Sequence, residues 1–460
     1  MSYNCVITTI NNVRTFPGAD RIKLANACGY QVVIGLNMCE GETVALFIDD
    51  GQLSPEYLKA NDLVGYTDEQ GNKKGGFFSS SGRIKAQKFR GEKSEAYIAS
   101  LESFAFTGYD IRKFKIGDQF CVLNNVPICN KYYAPATKKT QSEKQSKEKS
   151  SKKINELLRA RFPEHKDTAQ VRFALEKDLV GLMILTHKLH GTSARTGRIL
   201  YPTEHEIKNP LKNIWNVFVD EFLHGPKHIF NFWMDSDKIG SLKFKAKVTE
   251  DWELVYGTRR VIKGKVLEDA HDYRSLASKT LAPAIRKGEV WYYEIVGYED
   301  TGAAIMQPVT TKEMPKEFRK RFGDNFVYKY GCLPGTWDIY VYRITQQNED
   351  GDIYELPWNL VKGKCNSAGI KHVPEIETCY INKDQVNNAR NKIEYFTEEV
   401  DLEDPIDPSH IREGICVRFE NPETGKSTIW KNKTFAFKVL EGIAKSDDSY
   451  VDTEEIEGDV

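Results

Sequence analysis

The stretch Ile184-Leu185-Thr186-His187-Lys188-Leu189-His190-Gly191-Thr192-Ser193 is a β-rich run that reaches a lysine, followed by a polar residue two positions on and then glycine. Alone, Lys-x-His-Gly is a weak signal, because a lysine at a strand end is ordinarily a surface residue. Its weight comes from the segments downstream of it. Val255-Tyr256-Gly257-Thr258-Arg259-Arg260-Val261 offers an arginine at a strand-like turn, and Val290-Trp291-Tyr292-Tyr293-Glu294-Ile295-Val296-Gly297 sets one carboxylate in an apolar strand. Trp337-Asp338-Ile339-Tyr340-Val341-Tyr342-Arg343 reads as an aromatic-rich strand. Arg412-Glu413-Gly414-Ile415-Cys416-Val417-Arg418 repeats the order acid, glycine, apolar strand. Ile429-Trp430-Lys431-Asn432-Lys433 then puts two lysines on one strand face, since alternation has period two. An unpaired carboxylate in an apolar strand is costly, so Glu294 and Glu413 must each hold a cation or a ligand.

Upstream the pattern changes. Gln31-Val32-Val33-Ile34 and Thr43-Val44-Ala45-Leu46-Phe47-Ile48 are short β-rich runs parted by the turn Glu40-Gly41-Glu42, and similar runs follow at 82–89, 96–100 and 119–122. Five or six short strands within residues 1–133 predict a small OB-like barrel. Arg83-Ile84-Lys85-Ala86-Gln87-Lys88-Phe89-Arg90-Gly91 gathers cations around one strand, where Lys85, Lys88 and Arg90 beside Phe89 would suit an RNA backbone and a stacked base. A solvated sheet face is the plain alternative.

Residues 134–153 are lysine-rich and hold no large apolar side chain, which predicts a flexible linker. Residues 154–446 mix helix and strand, and 447–460 form an acidic tail. Trp215, Phe218, Val219, Phe222 and Leu223 recur at helical spacing within 213–234. His224 and His228 stand four apart there, but Gly225-Pro226 interrupts the helix and no third ligand is apparent, so the stretch is read as packing. Residues 201–248 look like an insertion without a chemical role. His165-Lys166-Asp167-Thr168-Ala169-Gln170 either approaches a ligand from the N-terminal side or starts a helix.

A length of 460 residues exceeds what one hydrophobic core usually serves. A net charge of −1 gives no global field for nucleic acid, so phosphate contacts must come from local patches. The nine cysteines include no C-x-x-C pair, no signal-peptide core opens the chain, and no apolar run would span a bilayer. This composition predicts a cytoplasmic or other reducing intracellular compartment, with no membrane and no protein partner implied.

The ordered set Lys188-x-His190-Gly191, Arg259, Glu294, the 337–343 strand, Glu413-Gly414 and Lys431-x-Lys433 resembles the motifs of the covalent nucleotidyltransferase superfamily. Within it, the set looks like that of the ATP-dependent RNA ligases. Residues 170–445 resemble the catalytic domain, and 1–133 the OB domain that one RNA-ligase branch carries ahead of it. The resemblance implies an α+β chain: an OB-like β-barrel, then a nucleotidyltransferase domain of antiparallel sheets with flanking helices. It implies an enzyme of RNA repair that seals 5′-phosphate and 3′-hydroxyl RNA ends through lysyl-AMP and RNA-adenylate, using ATP and Mg2+ or Mn2+. Its partner would be RNA ends, in a single strand, a nicked duplex or an RNA:DNA hybrid.

The same resemblance assigns roles. Lys188 would attack the α-phosphate of ATP. Free lysine titrates near about 10.4, and making it neutral at pH 7 takes about 4 kcal/mol, expected here from desolvation and the cations Lys431 and Lys433. Those two lysines would also screen the α-phosphate. Glu413 would help hold hydrated Mg2+, and Glu294 would contact the ribose or a metal-bound water. His190 and Gly191 would contact the nucleotide, Arg259 (or its neighbour Arg260) the ribose or incoming 5′-phosphate, and Tyr340 or Tyr342 would stack on adenine. Several relatives carry an acid where this chain has His187 and some carry asparagine where it has Ser193, which leaves the reading of adenine open. A DNA ligase or an RNA-capping guanylyltransferase is the first rival, though both usually carry aspartate at the place of His190 and the OB domain after the catalytic one. A non-catalytic nucleic-acid-binding protein is the second.

Overall fold

The structure, a computed structural model, describes residues 3–67, 70, 73–134, 152–165, 168–205, 247–267 and 272–446. The 213–234 stretch with His224 and His228, the acidic tail, and most of 134–153 and 201–248 lie outside the described residues.

In the N-terminal part, five strands pair antiparallel in the order Ala96–Ser100, Thr43–Ile48, Cys5–Thr15, Ile22–Ala27 and Tyr30–Gly35. Gln119–Phe120 adds to Cys5–Thr15. The two ends of this sheet meet: the Glu95 amide donates to the Gln31 carbonyl (2.9 Å) and the Gln31 amide to the Glu95 carboxylate (3.1 Å). Along Thr43–Ile48, Ala45 and Phe47 enter one core cluster while Val44 and Leu46 enter another. Both faces of that strand are covered, which is why it reads as one apolar run rather than an alternation.

The strand expected over 82–89 is only Gln87–Phe89, paired with Glu92–Ser94 in a hairpin turned by Arg90 and Gly91 at positive φ. Arg83, Ile84 and Ala86 are buried, so the chain before Gln87 packs inward instead of extending the strand.

The remainder holds two sheets. A five-stranded sheet runs Ala169–Gln170, Lys426–Lys433, Gly414–Asn421, Gly181–Lys188, Glu375–Ile381. All its pairs are antiparallel except the first. A six-stranded antiparallel sheet runs Ile262–Lys265, Lys247–Thr258, Thr192–His205, Glu289–Gly297, Trp337–Gln347, Ile353–Glu355. The strand that ends on Lys188 belongs to the first sheet and the next, from Thr192, to the second, so Leu189, His190 and Gly191 carry the chain from one to the other. The main core gathers Trp291, Tyr293, Ile295, Val341, Tyr328 and Phe437. On the other face of the five-stranded sheet, Met183, Leu185, Ile415 and Val417 pack with Ile393 of helix Val386–Glu394.

Helix Phe435–Ala444 follows the lysine strand directly, started by Thr434, whose hydroxyl accepts from the Phe437 amide (3.1 Å). It reaches the N-terminal sheet through Lys438, 3.3 Å from Glu95, and the residue after it, Lys445, lies 2.8 Å from Asp50. Arg172 joins the same contact, 3.1 Å from Glu95 and 2.7 Å from Glu394. Among the described residues no helix is long and apolar enough to cross a membrane, and all nine cysteines are free thiols.

Candidate active site

A cleft of about 370 Å³ opens where the two large sheets part. Lys188, Glu413, Lys431 and Lys433 line it from the five-stranded sheet, Ser193, Arg259, Glu294 and Tyr342 from the six-stranded one, and His190 and Gly191 from the crossing. Strand pairing explains the convergence on the first wall. Lys188 is opposite Gly414, Gly414 is opposite Lys433, and Cys416 is opposite Lys431, so residues far apart in sequence become neighbours in register. Gly414 is required there, because a Cβ would come within 2.2 Å of the Asn432 carbonyl oxygen. Gly191 is required at the crossing, where a Cβ would meet the Ile295 carbonyl oxygen at 2.5 Å and the Glu294 side chain at 2.9 Å.

The Lys188 ammonium donates to Glu413 Oε2 at 2.8 Å, and Lys433 Nζ stands 3.7 Å from Glu413 Oε1. His190 Nδ1 is 3.6 Å from the same carboxylate, with its ring edge-on to Tyr328 and Phe437. Glu413 is only 2% exposed. Burial would raise its pKa, but Lys188, His190 and Lys433 outweigh that and hold the carboxyl far below the usual range. Burial alone would lower Lys188, yet Glu413 reverses it and the net shift is upward. The expectation of a lowered Lys188 is therefore corrected for this state: the carboxylate beside it dominates over desolvation and Lys433.

Among the cleft lysines Lys188, Lys431 and Lys433, the one shifted down is Lys431. Burial, then the like charges of Lys433, Lys188 and Arg259, bring it down to about 8. Lys433 goes the other way: burial would lower it, but Glu441, 2.8 Å away, and Glu413 raise it.

On the second wall, Glu294 Oε1 accepts from the Gly191 amide (3.1 Å), and the Ser193 and Tyr342 hydroxyls share a hydrogen bond of 2.7 Å. Strand alternation alone would put Tyr340 and Tyr342, two residues apart, on one face, but a β-bulge breaks it. Tyr293 pairs with Val341 and Tyr292 with Arg343, leaving Tyr342 as the extra residue. Tyr342 lines the cleft, whereas Tyr340 is packed in the main core. Of the two arginines, Arg259 lines the cleft and Arg260 does not. His187 follows Met183 and Leu185 in strand alternation, yet it too lines the cleft next to Lys188. Burial and then Arg412 lower its imidazole to about 4, so it is neutral at pH 7.

His165, Thr168, Ala169 and Gln170 do line the cleft, and the short strand Ala169–Gln170 leads straight into a 3-10 helix, Val171–Phe173, with Gln170 at its N-cap position, so both readings of this segment hold in part; Lys166 and Asp167 lie outside the described residues. Sequence reasoning missed Asp50, Glu441 and Lys445, which also line it. Their only sequence signal is the four-residue spacing of Glu441 and Lys445 on a helix. Lys85, Lys88 and Arg90 are exposed and lie outside the cleft. Phe89 sits edge-on to Phe16 at 5.8 Å.

Among solved structures, the chain is similar to an RNA ligase from Naegleria gruberi. A point mutant of that protein solved with AMP and manganese is 14% identical, with a TM-score of 0.50 over 94% of this chain and 97% of the other. Another, solved with ATP and manganese, is 14% identical with a TM-score of 0.50 over 94% and 98%. This chain has the fold of that RNA ligase. No protein-family model and no curated protein matches the sequence.

Within that fold, the donor set is suited to a hydrated divalent cation. Glu294 and Glu413 offer oxygen only, and the described residues hold no group of three or more His, Cys, Asp or Glu that would cage an ion. Such a site fits magnesium or manganese that keeps most of its waters.

Proposed function

We propose that this protein is an ATP-dependent RNA ligase that seals 5′-phosphate and 3′-hydroxyl RNA ends in RNA repair, with Lys188 as the nucleophile that carries AMP. The observation that carries this reading is the pairing of Lys188 with a buried carboxylate, 2.8 Å away, inside a cleft whose other cations include Lys431 and Arg259. In the reaction, Lys188 Nζ, once deprotonated, bonds to the α-phosphorus of ATP and the bond to the β-phosphate oxygen breaks, releasing pyrophosphate. An oxygen of the RNA 5′-phosphate then takes AMP from Lys188 and restores the amine. The RNA 3′-hydroxyl finally attacks that 5′-phosphate, forms the new phosphodiester, loses its proton and expels AMP.

Glu413 and Glu294 would hold a divalent cation, whose positive charge would compete for Glu413 and so favour a neutral Lys188. Lys431 and Lys433 bear on the α-phosphate, where fixed cations lower the barrier to phosphoryl transfer. Arg259 receives the ribose or the incoming 5′-phosphate, Tyr342 stacks on adenine, and His190 and Gly191 border the nucleotide.

Residues 1–133 act as an OB-like RNA-binding module, 134–153 as a linker, 154–446 as the catalytic domain and 447–460 as a tail. The strand order of the N-terminal sheet and the meeting of its ends at Gln31 and Glu95 support the OB-like reading. Lys85, Lys88 and Arg90 bind the RNA backbone. Nine free thiols support a reducing compartment such as the cytoplasm.

Incubation of the purified protein with labelled ATP or GTP and Mg2+ tests the reading. A covalent AMP adduct that transfers to 5′-phosphorylated RNA is expected. A GMP adduct would identify a capping enzyme, sealing of DNA alone a DNA ligase, and no adduct a non-catalytic protein.

A further inference from the structure

We propose that Lys433 is aimed into the cleft by a chain of alternating charges that begins on the N-terminal sheet, with Asp50, Lys445 and Glu441 as positioning residues. This rests on the reading of Lys188 as nucleophile and Lys433 as its neighbouring cation. The chain is continuous. Asp50 Oδ1 lies 2.8 Å from Lys445 Nζ, which lies 3.0 Å from Glu441 Oε1. Glu441 Oε2 lies 2.8 Å from Lys433 Nζ, which lies 3.7 Å from Glu413 Oε1. Glu413 Oε2 lies 2.8 Å from Lys188 Nζ.

Each glutamate divides its two oxygens between two lysines. Glu441 holds Lys445 with one and Lys433 with the other, and Glu413 holds Lys433 with one and Lys188 with the other. Neither carboxylate can follow one lysine without drawing on the second. Lys445 is 7% exposed, Lys433 11% and Glu441 17%, so solvent and salt screen the middle of the chain little, while the Asp50 end, 35% exposed, is screened more. Cutting such a chain leaves a buried charge without its counterion, and the remaining groups must rearrange.

Local structure sets up the geometry. Glu441 and Lys445 stand one turn apart on the helix that follows Lys433, with the acid N-terminal to the base, the favourable order. Lys445 sits at the helix C-terminus, where the backbone dipole favours a cation. Asp50 occupies a left-handed turn position (φ 66°) after Thr43–Ile48, which aspartate tolerates better than most residues. Its neighbour Gly51 packs under Tyr3, where a Cβ would meet the ring at 2.1 Å. The same helix is fastened to the N-terminal sheet a second time by Lys438 and Glu95, so its axis is set at two points.

The test is single-turnover AMP-adduct formation by the full-length chain at varied ATP. Displacing a catalytic cation by a fraction of an ångström to one ångström costs up to about 10²-fold, so Glu441→Gln should slow the maximal rate by about that factor and Asp50→Asn by about tenfold. Half-saturating ATP should stay within about twofold, because positioning is felt in the transition state rather than in substrate binding. Asp50→Glu should recover most of the Asp50→Asn loss. The double variant Asp50→Asn/Glu441→Gln should be no slower than Glu441→Gln alone, since the chain is already cut. Losses that multiply in the double variant, or that appear in ATP affinity, would overturn the proposal. If the wild-type protein forms no adduct, the nucleophile reading fails, and the chain is still decided by thermal unfolding. Non-additive shifts for Asp50→Asn and Glu441→Gln support it and additive shifts overturn it.

Discussion

Lys431 and Lys433 leave one strand on one face, two residues apart, and arrive in opposite surroundings. Lys433 stands between Glu441 and Glu413 with its ammonium 4.9 Å from the Phe437 ring centre. Lys431 has no carboxylate within ion-pair distance among the described residues, and burial with neighbouring Lys433, Lys188 and Arg259 brings it down to about 8. The cleft thus has a neutralised side, where charges alternate as far as Asp50, and a cationic side, where Lys431 and Arg259 repel. An anion bound near Lys431 and Arg259 relieves that repulsion, whereas Lys433 already shares its charge with Glu441 and Glu413 when it meets one. The difference teaches that a Lys-x-Lys motif does not specify two equivalent cations; the elements packed behind it do.

The largest break comes from removing the group both sides serve. Lys188→Ala should abolish the AMP adduct, a loss of more than about 10³-fold, because no other amine replaces the nucleophile. Joining of RNA that already carries a 5′-adenylate should persist, since that step uses no lysine nucleophile. Gel analysis with labelled ATP and with pre-adenylylated RNA checks both, and an adduct at wild-type level would remove Lys188 from the role.

Glu413→Gln attacks the neutralised side at its deepest point. Sequence alone suggests a choice between a metal-holding acid and a buried ion pair. The structure makes Glu413 the partner of Lys188 and Lys433, so the two are not exclusive. The variant should lose transfer by about 10²-fold or more. It should also lose up to about 3 kcal/mol of stability, because two partly buried ammonium groups lose their shared, buried carboxylate. Thermal unfolding beside adduct assays separates the effects. Wild-type stability would mean that the ion pairs do not contribute.

Much of this site is legible in the sequence because β-strands carry residues to fixed places. A lysine ending an apolar run, one acid in each of two apolar strands and two lysines at alternate positions converge once the strands align, and they do so around Lys188. Tyr340 and Tyr342 cannot be told apart in the sequence, because the bulge that adds a residue there is invisible to period-two counting. Arg83 reads as one more cation of a basic strand, yet it is buried and donates to Ser446 Oγ at 3.0 Å. Asp50, Glu441 and Lys445 are illegible for a deeper reason. Their meaning depends on how the N-terminal sheet meets the last helix, and no local pattern encodes that contact.

The comparison sharpens most in stability against pH. Lys431 loses its proton near about 8 in the folded protein, against about 10.4 for a free lysine. Between those values the unfolded chain binds more protons, so this group makes stability rise with pH through that window. Lys431→Met should therefore raise the melting temperature at pH 7, and the gain should vanish above about pH 10.5. Lys433 is shifted upward, so its contribution is fully present below the unfolded value and is lost only as pH rises past it. Lys433→Met should lower the melting temperature at pH 7. Calorimetry of both variants across pH checks the opposite signs, and equal signs would collapse the division of the cleft.

The smallest expected effect lies outside the cleft, on the exposed cations of the N-terminal part. Lys85 Nζ donates to Ser446 Oγ at 3.1 Å and Arg90 donates to the Gly18 carbonyl at 2.9 Å, contacts to neutral groups that leave both charges uncompensated by those bonds. Lys88 is exposed in the short strand Gln87–Phe89. If all three meet phosphates, neutralising them together should weaken RNA binding modestly and flatten its salt dependence. Each lost phosphate contact on a single strand reduces the log–log slope by about 0.7, so the triple variant should lose about 2. Phe89, held edge-on by Phe16, offers a pre-set ring beside these charges, and Phe89→Ala should weaken binding without changing the slope, because stacking releases no counterions. Binding of labelled RNA measured across a salt series distinguishes the two contributions. A triple variant with the wild-type slope would return this strand to an ordinary solvated face, and would confine the protein's phosphate chemistry to the cationic side of the cleft.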